Sequence, residues 1–427
     1  MNWNRWYRFT SYLRSSLWIV PFIAVVLDQI TIRVLPRIGA WLGWSFYGFG
    51  LHGAQVAFET VITLTLSFLV FTFGSLLVAI QVASGQMTPR IIATTLLRDN
   101  VIRYSVGLFV FSLLFAVGAL IRMESDVDQL TLLFAAILGL GSIATFLYLI
   151  DYAARLLRPV SIVARVSEHG LAVIESVYPD DVDASPVVPV PARQSLGPPG
   201  RIVHHQGKSG IVLAVNLNVL VSEARRLNGV IEFVPQVGDF VAVDEPLFHL
   251  YGGAVAIDDR SLRDAAVLGP ERTLEQDPIF AFRILVDIAI KALSPAINDP
   301  TTAVLTIDQL HRLLRMVGKR RLRNDQILDG AGQLRAILKT PNWKDYVDVA
   351  FSEIRHYGGE NVQIARRLRA MIENLVQSLP ENRHAALRLE LDLLDRALER
   401  LYVFPEDLAL ARIADSQGLG GASDTKA

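Results

Sequence analysis

The longest apolar segment of the chain lies between Glu59 and Arg90. Residues 60–89 between these two charges carry no ionisable side chain. A helix over that range would be about 45 Å long at about 1.5 Å per residue, whereas the hydrocarbon core of a bilayer is about 30 Å thick. The segment therefore predicts a helix that spans a membrane and continues into one aqueous compartment.

Four apolar segments are long enough to span a bilayer as helices, and their predicted bounds are 16–35, 58–83, 104–121 and 129–150. Glycine and aromatic residues dominate the connection at 37–55, which favours an irregular interfacial segment. The chain after Arg158 has the composition of a water-soluble protein. The predicted fold is an α-helical membrane protein with four transmembrane helices and a cytoplasmic α+β region. In that region a small barrel-sandwich-like β module precedes a helical bundle.

The charges of the loops predict how these helices cross the membrane, because cytoplasmic loops carry an excess of arginine and lysine. Three segments on one side are basic, and their arginines are Arg5, Arg8, Arg14, Arg90, Arg98, Arg103, Arg155, Arg158 and Arg165. The loop on the other side carries Arg122 with three carboxylates, Glu124, Asp126 and Asp128. Both termini are therefore predicted to be cytoplasmic.

Two ionisable residues, Asp28 and Arg33, fall inside the first predicted span. Charged groups within a membrane are costly, so such residues are by default candidates for an ion path or a proton relay. The alternative is a short helix that ends near Leu27 and leaves Asp28 at the outer interface. The sequence is compatible with both interpretations.

Small and polar residues recur at intervals of three, four or seven along the second span: Thr60, Thr63, Ser67, Gly74, Gln81 and Gly85. These intervals place them on one face of a helix. The fourth span has a comparable row, which consists of Ala135, Gly139 and Ser142. Such rows are typical of close helix packing, and a polar face that lines a water-filled path would have the same pattern.

The chain is predicted to divide into five regions. They are a transmembrane domain over 1–158, a juxtamembrane helix and proline-rich linker over 159–200, a β-rich module over 201–265, a helical domain over 266–411 and a disordered tail over 412–427. Strands are predicted at 211–216 and 229–234, with a short helix between them. Within the helical domain, later helices are predicted over 325–338, 344–357, 361–379 and 381–402.

The residues PQVGDFVAVDEPLF at 235–248 fit the pattern PxVGDxVxxxxPLF. This pattern resembles half of a barrel-sandwich domain of the biotinyl or lipoyl type, in which Gly-Asp makes a tight turn. A carrier domain of that type needs a lysine at an exposed hairpin tip, and Lys208 precedes the first predicted strand. The module is therefore predicted to be structural or to bind a partner, and no cofactor is expected.

The chain contains no cysteine, which excludes disulfides, thiolate metal sites and cysteine nucleophiles. His204, His205 and His249 lie in or beside the β module, but no fourth ligand has the spacing of a metal site. Ordinary surface or core histidines are favoured, and no metal is predicted. The net charge of −1 gives no reason to expect nucleic acid as a partner.

Two Asp-Pro pairs begin predicted helices, at Asp277-Pro278 and at Asp299-Pro300. Aspartate caps the first free amides of a helix, and proline fits its first turn. The loop SPAIND before the second helix would bring polar groups to a helix N-terminus, and the candidate ligand residues are Ser294, Asn298, Asp299, Thr301 and Thr302. A capped turn inside a helical bundle is the alternative.

Two longer segments resemble a known family. QVASGQMTPR at 81–90 and EQDPIFAFRILVDIAIKALSPAINDPTTA at 275–303, combined with four spans, are similar to the domain-of-unknown-function 2254 family of predicted bacterial membrane proteins. Met87 and Thr88 depart from the Phe-Ser that this family tends to carry. The resemblance extends to about Pro405 and implies a multi-pass protein of the bacterial inner membrane. It implies no reaction, ligand or catalytic residue.

The sequence contains no phosphate-binding loop, no hydrolase nucleophile elbow and no zinc-protease motif, so an enzyme is the least favoured class. One hypothesis is an oligomeric channel or transporter, in which the row from Thr60 to Gly85 lines the path. Arg90, Arg98 and Arg103 would then surround the cytoplasmic mouth and favour anions. The other hypothesis is a membrane-anchored sensor or scaffold that binds a ligand or partner through its cytoplasmic domain. Four spans are few for a monomeric transporter, so a homo-oligomer in the lipid bilayer is expected.

Overall fold

A computed structural model describes residues 3–42, 50–86, 99–123, 128–156, 158–182, 196–322 and 325–420 of the chain. The chain divides into two compact units. The helical unit consists of Ser11–Gly85 and Pro89–Ile162, and the mixed unit consists of Met1–Thr10, Gln86–Thr88 and Val163–Ala427.

Four long apolar helices form the core of the helical unit. They follow a shorter helix α1 (Trp3–Ser15) and are α2 (Ile19–Leu42), α3 (Leu51–Gln86), α4 (Asn100–Arg122) and α5 (Gln129–Leu156). Each of the four is long and apolar enough to cross a membrane. The four predicted spans are therefore confirmed as helices, and all four helices are longer than the sequence predicted.

Helix α2 passes through Asp28 without a break. The interpretation of a short helix that ends near Leu27 is therefore wrong. Apolar residues resume after Asp28, and a helix satisfies every backbone group in lipid without outside partners. The connection predicted to be irregular is helical at both ends, since 37–42 belongs to α2 and 51–55 to α3. Its central residues, 43–49, lie outside the described residues.

Two glycines of α4 allow α2 to pack closely beside it. A Cβ atom at Gly107 would lie 2.6 Å from Cγ1 of Val20, and one at Gly118 would overlap the side chain of Ile32. Small residues bring the backbones of membrane helices together in this way. Because the two contacts follow the same order along both helices, α2 and α4 run in the same direction, as expected for the first and third of four successive spans.

Aromatic rings fill the interior of the helical unit. Phe109 is fully buried, and the rings of Phe68 and Phe146 stack with their centroids 4.1 Å apart. Ser142 of α5 donates a hydrogen bond of 3.1 Å to Ser112 of α4, and both side chains are fully buried. The helices are thus held by interlocked side chains and a buried hydroxyl pair.

The described residues of the mixed unit form two β-sheets. Its strands are β1 (Arg201–His204), β2 (Gly210–Val215), β3 (Gly229–Phe233), β4 (Phe240–Val241), β5 (Pro246–Gly252), β6 (Ala266–Gly269), β7 (Gln326–Leu328) and β8 (Leu334–Leu338). One sheet has the order β1-β5-β3-β8-β7, in which β3 and β8 are parallel and the other neighbours antiparallel. The other sheet has the antiparallel order β4-β2-β6. The two predicted strands, now β2 and β3, are confirmed.

The tight turn predicted at Gly-Asp is also present. Gly238 has a φ of 94°, and the amide of Asp239 donates to the carbonyl of Gln236 at 3.0 Å. Lys208 follows β1, so the prediction that it precedes the first strand is wrong. Strands β1 and β2 belong to different sheets, so Lys208 is not at the tip of a hairpin.

The segment 325–338 was predicted to be helical and forms the hairpin β7–β8 instead. The carboxylate of Asp329 holds its turn by accepting the amides of Ala331 at 2.9 Å and Gln333 at 3.0 Å. Strand β8 is buried at every position, so it lacks the alternation that identifies a strand in a sequence. Because β8 pairs with β3, the larger sheet takes strands from both sides of the boundary predicted at residue 265.

The remaining helices of the mixed unit pack around these sheets and against one another. They are α6 (Pro159–Val177), α7 (Leu217–Arg226), α8 (Asp259–Asp264), α9 (Pro278–Ala292), α10 (Pro300–Lys319), α11 (Trp343–Gly358), α12 (Val362–Ser378), α13 (His384–Leu401) and α14 (Pro405–Ala411). Helix α9 is central, since Phe282, Leu285 and Val286 are fully buried. The predicted helices over 344–357, 361–379 and 381–402 correspond to α11, α12 and α13.

The tail predicted to be disordered from residue 412 instead packs against α12 as far as residue 420. Arg366 of α12 is fully buried and donates to the carbonyls of Ile413 and Gly420, both at 3.0 Å. The carboxylate of Asp415 accepts three backbone amides at 3.0, 2.8 and 2.7 Å, those of Gln417, Gly418 and Gly420. A glycine-rich composition suggested disorder, yet the positive φ angles of these glycines allow the compact turn. Residues 421–427 lie outside the described residues.

Candidate functional site

The small and polar residues predicted on the second span all lie on an exposed face of α3, and they are Thr60, Thr63, Ser67, Gly74, Gln81 and Gly85. At about 100° per residue they fall within an arc of about 60°. The buried residues of α3, which include Val61, Phe68 and Leu76, lie on the opposite side of the helix. A Cβ atom at Gly74 or Gly85 would meet no other atom within 4 Å.

Two hydroxyl groups of this row donate hydrogen bonds within their own helix. Oγ1 of Thr60 donates to the carbonyl of Val56 at 2.6 Å, and Oγ of Ser67 donates to the carbonyl of Thr63 at 2.8 Å. The row therefore forms no packing seam with the other described helices of this chain. Packing against another copy and lining of a path stay predictions.

The row on the fourth span has the opposite environment. Ala135, Gly139 and Ser142 of α5 are buried, and a Cβ atom at Gly139 would lie 2.9 Å from Cγ2 of Val61. The predicted packing role is confirmed for this row. The two rows look alike in the sequence, and the fold places one inside and the other outside.

Asp28 is buried in the helical unit with 2% of its surface exposed. Its Oδ2 accepts the side-chain amide of Gln29 at 3.1 Å, whereas Oδ1 has no hydrogen-bond partner among the described residues. Arg33 is exposed, and its guanidinium donates to the carbonyl of Gln29 at 2.6 Å. The structure thus separates the two predicted intramembrane charges into a buried carboxylate and an exposed arginine.

The predicted cytoplasmic-mouth arginines are described in part. Arg103 lies in the first turn of α4 and donates to the carbonyl of Leu13 at 3.1 Å. Arg90 and Arg98 lie outside the described residues. Their predicted role at a mouth stays a prediction.

The SPAIND loop has the hydrogen bonds of a capped turn. The Asp299 carboxylate accepts the Thr302 amide at 3.1 Å and also the Thr302 hydroxyl. Ser294 donates to the carbonyl of Lys291 at 2.6 Å, and Asn298 takes a positive φ of 49°. Thr301 is exposed. Ser294, Asp299 and Thr302 therefore stabilise the turn through these hydrogen bonds. A ligand role for the loop stays a prediction.

A cleft of about 340 Å³ lies in the mixed unit where α7 and α9 begin. Trp3, Val215 and Leu338 contribute apolar walls, and Asn216, Gln276 and Lys339 contribute polar groups. No pattern in the sequence alone had marked these polar residues as a site. Two signals could have pointed to them, since Gln276 lies in the EQDP motif and Asn216 directly precedes a helix as its N-cap.

Asp277 is the charged N-cap of α9 at this cleft. Its carboxyl is 3% exposed, accepts the amide of Phe280 at 3.2 Å and lies 3.3 Å from Nε of Arg272. Burial raises the pKa of Asp277 to about 6, although the charge of Arg272 opposes that shift. The carboxyl is therefore expected to lose its proton at about pH 6 rather than near its ordinary pKa of 3.8.

Two of the three histidines in or beside the β module, His205 and His249, have side-chain partners, and His204 is exposed. His249 lies 3.2 Å from the buried carboxylate of Glu232, which also accepts the hydroxyl of Tyr251 at 2.8 Å. Nε2 of His205 lies 2.9 Å from the carbonyl of Lys208. Among the described residues, no group of three or more histidine or carboxylate side chains is arranged to hold a metal.

A family model described as predicted membrane protein (DUF2254) matches residues 14–374. The chain belongs to this family. The match contains all four apolar helices, both sheets and the polar residues of the cleft, Asn216, Gln276 and Lys339. The resemblance inferred from residues 81–90 and 275–303 is thereby confirmed.

Relatives of this DUF2254 protein include uncharacterized proteins of Mycobacterium tuberculosis (strain ATCC 25618 / H37Rv) and Mycobacterium bovis (strain ATCC BAA-935 / AF2122/97). Each is 25% identical over 425 residues, which cover 95% of this chain and 81% of the relative. No solved structure matches the chain. Membership therefore establishes a predicted membrane protein and assigns it no reaction or ligand.

The raised pKa of Asp277 predicts a pH dependence of stability. The stabilising effect of the neutral carboxyl is complete below the unfolded value of 3.8 and is lost as pH rises through about 6. As pH rises from about 5 to about 7.5, we expect the contribution of Asp277 to the free energy of unfolding to fall by about 1.4 kcal/mol. Asp277→Asn keeps the cap and should remove this component, as measured by denaturant unfolding of the full chain in detergent. Identical pH dependence in both proteins would contradict the prediction.

Proposed function

We propose that this DUF2254 protein is an oligomeric channel- or transporter-like protein of the bacterial inner membrane. The observation that supports it most is the exposed row on α3, which faces away from every described packing contact of that helix. Copies of the protein arranged around an axis could turn these rows toward a shared path, where small side chains leave space and hydroxyl oxygens that donate to their own helix still accept hydrogen bonds from water. The mixed unit would then act as a regulatory domain or vestibule.

The interior of a single helical unit supports a path between copies rather than within one. Phe68, Phe109 and Phe146 fill its centre, and its cleft of about 210 Å³ is lined mainly by apolar side chains. Water and ions require polar surfaces along a path. The α3 row supplies hydroxyl, amide and backbone groups on one side of one helix.

Loop charges support an orientation in which both termini are cytoplasmic. In that orientation Arg103, at the start of α4, lies on the cytoplasmic side. With Arg90 and Arg98 it would raise the local concentration of anions at the mouth of the path. An anion is therefore the favoured transported species under this proposal.

The proposal predicts chloride flux from liposomes that contain the purified protein. Ser67→Trp should reduce the flux close to the level of empty liposomes, because an indole on the row would obstruct the path. Leu66→Trp is the matched control, since Leu66 is 51% exposed but lies about a quarter turn away from the row. Absence of flux from the unmodified protein, or equal flux in both variants, would contradict the channel proposal.

A membrane-anchored sensor is the second candidate function. The cleft beside Asp277 favours it, because polar groups and apolar walls converge there in a cavity of small-molecule size. A sensor would need ligand binding in the mixed unit and no flux through the helical unit. The flux experiment therefore separates the two candidates.

A further inference from the structure

We infer that the cleft formed by the N-terminal ends of α7 and α9 and by Lys339 binds a small organic oxyanion, a carboxylate or a phosphate ester. The cleft has a volume of about 340 Å³ and holds both polar groups and apolar walls. This combination is typical of small-molecule sites. The cleft lies in the mixed unit, and binding there does not depend on flux through the membrane.

Two amide side chains in the cleft can offer a ligand hydrogen-bond donors. Oδ1 of Asn216 already accepts the amide of Val219 at 3.2 Å, and Oε1 of Gln276 already accepts the amide of Val215 at 2.9 Å. These bonds fix each side chain with its carbonyl oxygen toward the protein backbone. No hydrogen bond among the described residues uses either NH₂ group, so both are available to acceptor oxygens.

The charge distribution of the cleft also favours an anion. Lys339 is exposed at the cleft and carries a positive charge. The carboxylate of Asp277 also lines the cleft, but its negative charge is partly offset, since it lies 3.3 Å from Arg272 and accepts the amide of Phe280. Helices α7 and α9 both begin at the cleft, and the positive ends of their dipoles add to the favourable potential.

The apolar walls indicate an organic ligand rather than a bare inorganic ion. Trp3 and Val237 line the cleft together with Leu338 and Pro341. An inorganic phosphate would leave these surfaces in contact with water. A carboxylate or phosphate ester with a carbon skeleton would place its oxygens on the amides and Lys339 and its carbon atoms on the walls.

Two substitutions test the site without removing the bonds that hold it. Asn216→Asp keeps an oxygen that caps α7, and Gln276→Glu keeps an oxygen for the amide of Val215. Each replaces an NH₂ donor by a negative oxygen. Asn361→Asp is the matched control, because Asn361 caps α12 through the amide of Ile364 and does not line the cleft.

The measurement is isothermal titration calorimetry on the full-length protein in detergent, with glycerol 3-phosphate and succinate as probes at constant ionic strength. We expect one or both probes to bind the unmodified protein and the control. Asn216→Asp and Gln276→Glu should each weaken the apparent affinity by about tenfold or more. Binding of glycerol 3-phosphate alone identifies phosphate esters as the class, and binding of succinate alone identifies carboxylates.

Two results would overturn the inference. One is that neither probe binds the unmodified protein. The other is that Asn216→Asp and Gln276→Glu bind as tightly as Asn361→Asp, since the site would then lie elsewhere. Thermal unfolding of each variant without probe verifies that a loss of binding does not reflect a loss of fold.

Discussion

Replacement of Arg366 by alanine is expected to lower the free energy of unfolding by about 3–5 kcal/mol. The guanidinium is fully buried and donates to the carbonyls of Ile413 and Gly420 at 3.0 Å each. Alanine would leave both carbonyls without this charged donor and would leave a cavity between α12 and the segment at 412–420. We expect the free energy, measured by denaturant unfolding in detergent, to fall by that amount.

The same variant should release the segment at 412–420 from α12. Limited proteolysis would then cut this segment at lower protease concentrations than in the unmodified protein. Arg396→Ala is the control, because Arg396 and its partner Asp392 are more than half exposed, and such pairs contribute about 0–1 kcal/mol. If Arg366→Ala leaves stability and cleavage at the level of this control, the docked segment does not depend on Arg366.

Replacement of Gly253 by alanine is expected to lower the free energy of unfolding by about 3 kcal/mol. A Cβ atom at this position would overlap the carbonyl oxygen of Leu227. The obstacle is backbone rather than the end of a flexible side chain, so the chain itself would have to move. The backbone segments around Leu227 and Gly253 therefore approach each other closely. Gly229 lies at the same close approach, and a Cβ atom there would overlap the amide of Ala254.

Gly330→Ala provides the comparison for this glycine. A Cβ atom at Gly330 would meet nothing within 4 Å, and we expect its unfolding free energy to change by about 0.5 kcal/mol or less. Thermal and denaturant unfolding of the full chain would measure both variants. Equal stability of Gly253→Ala and Gly330→Ala would contradict the prediction, because the backbone near Leu227 would then move aside with no loss of unfolding free energy.

The sequence predicted long helices well and predicted strand pairing poorly. The four spans follow from apolar length, and α9 and α10 follow from the Asp-Pro pairs at Asp277 and Asp299, because these signals are local. The hairpin β7–β8 was missed because β8 is stabilised by β3, whose residues lie about a hundred positions earlier in the chain. Its apolar run is compatible with either a buried strand or a buried helix until that partner is known.

The candidate sites divide in the same way. The periodicity from Thr60 to Gly85 placed these residues on one face, and the fold decided that this face is the outer one. The cleft was not predictable, because Asn216, Gln276 and Lys339 come from separate parts of the chain. The NH₂ groups of Asn216 and Gln276 are available as donors because the oxygens of these side chains accept the amides of Val219 and Val215.

The sequence by itself predicted the four long apolar helices and an orientation for them, and it carries the membership in DUF2254. Each of these rests on the length, composition or identity of a continuous segment. The tertiary structure decided which small-residue row packs, that Asp28 is buried, that residues 412–420 dock on Arg366, and that amide donors meet in a cleft. Those properties depend on contacts between distant residues, and burial and hydrogen-bond partners are properties of such contacts.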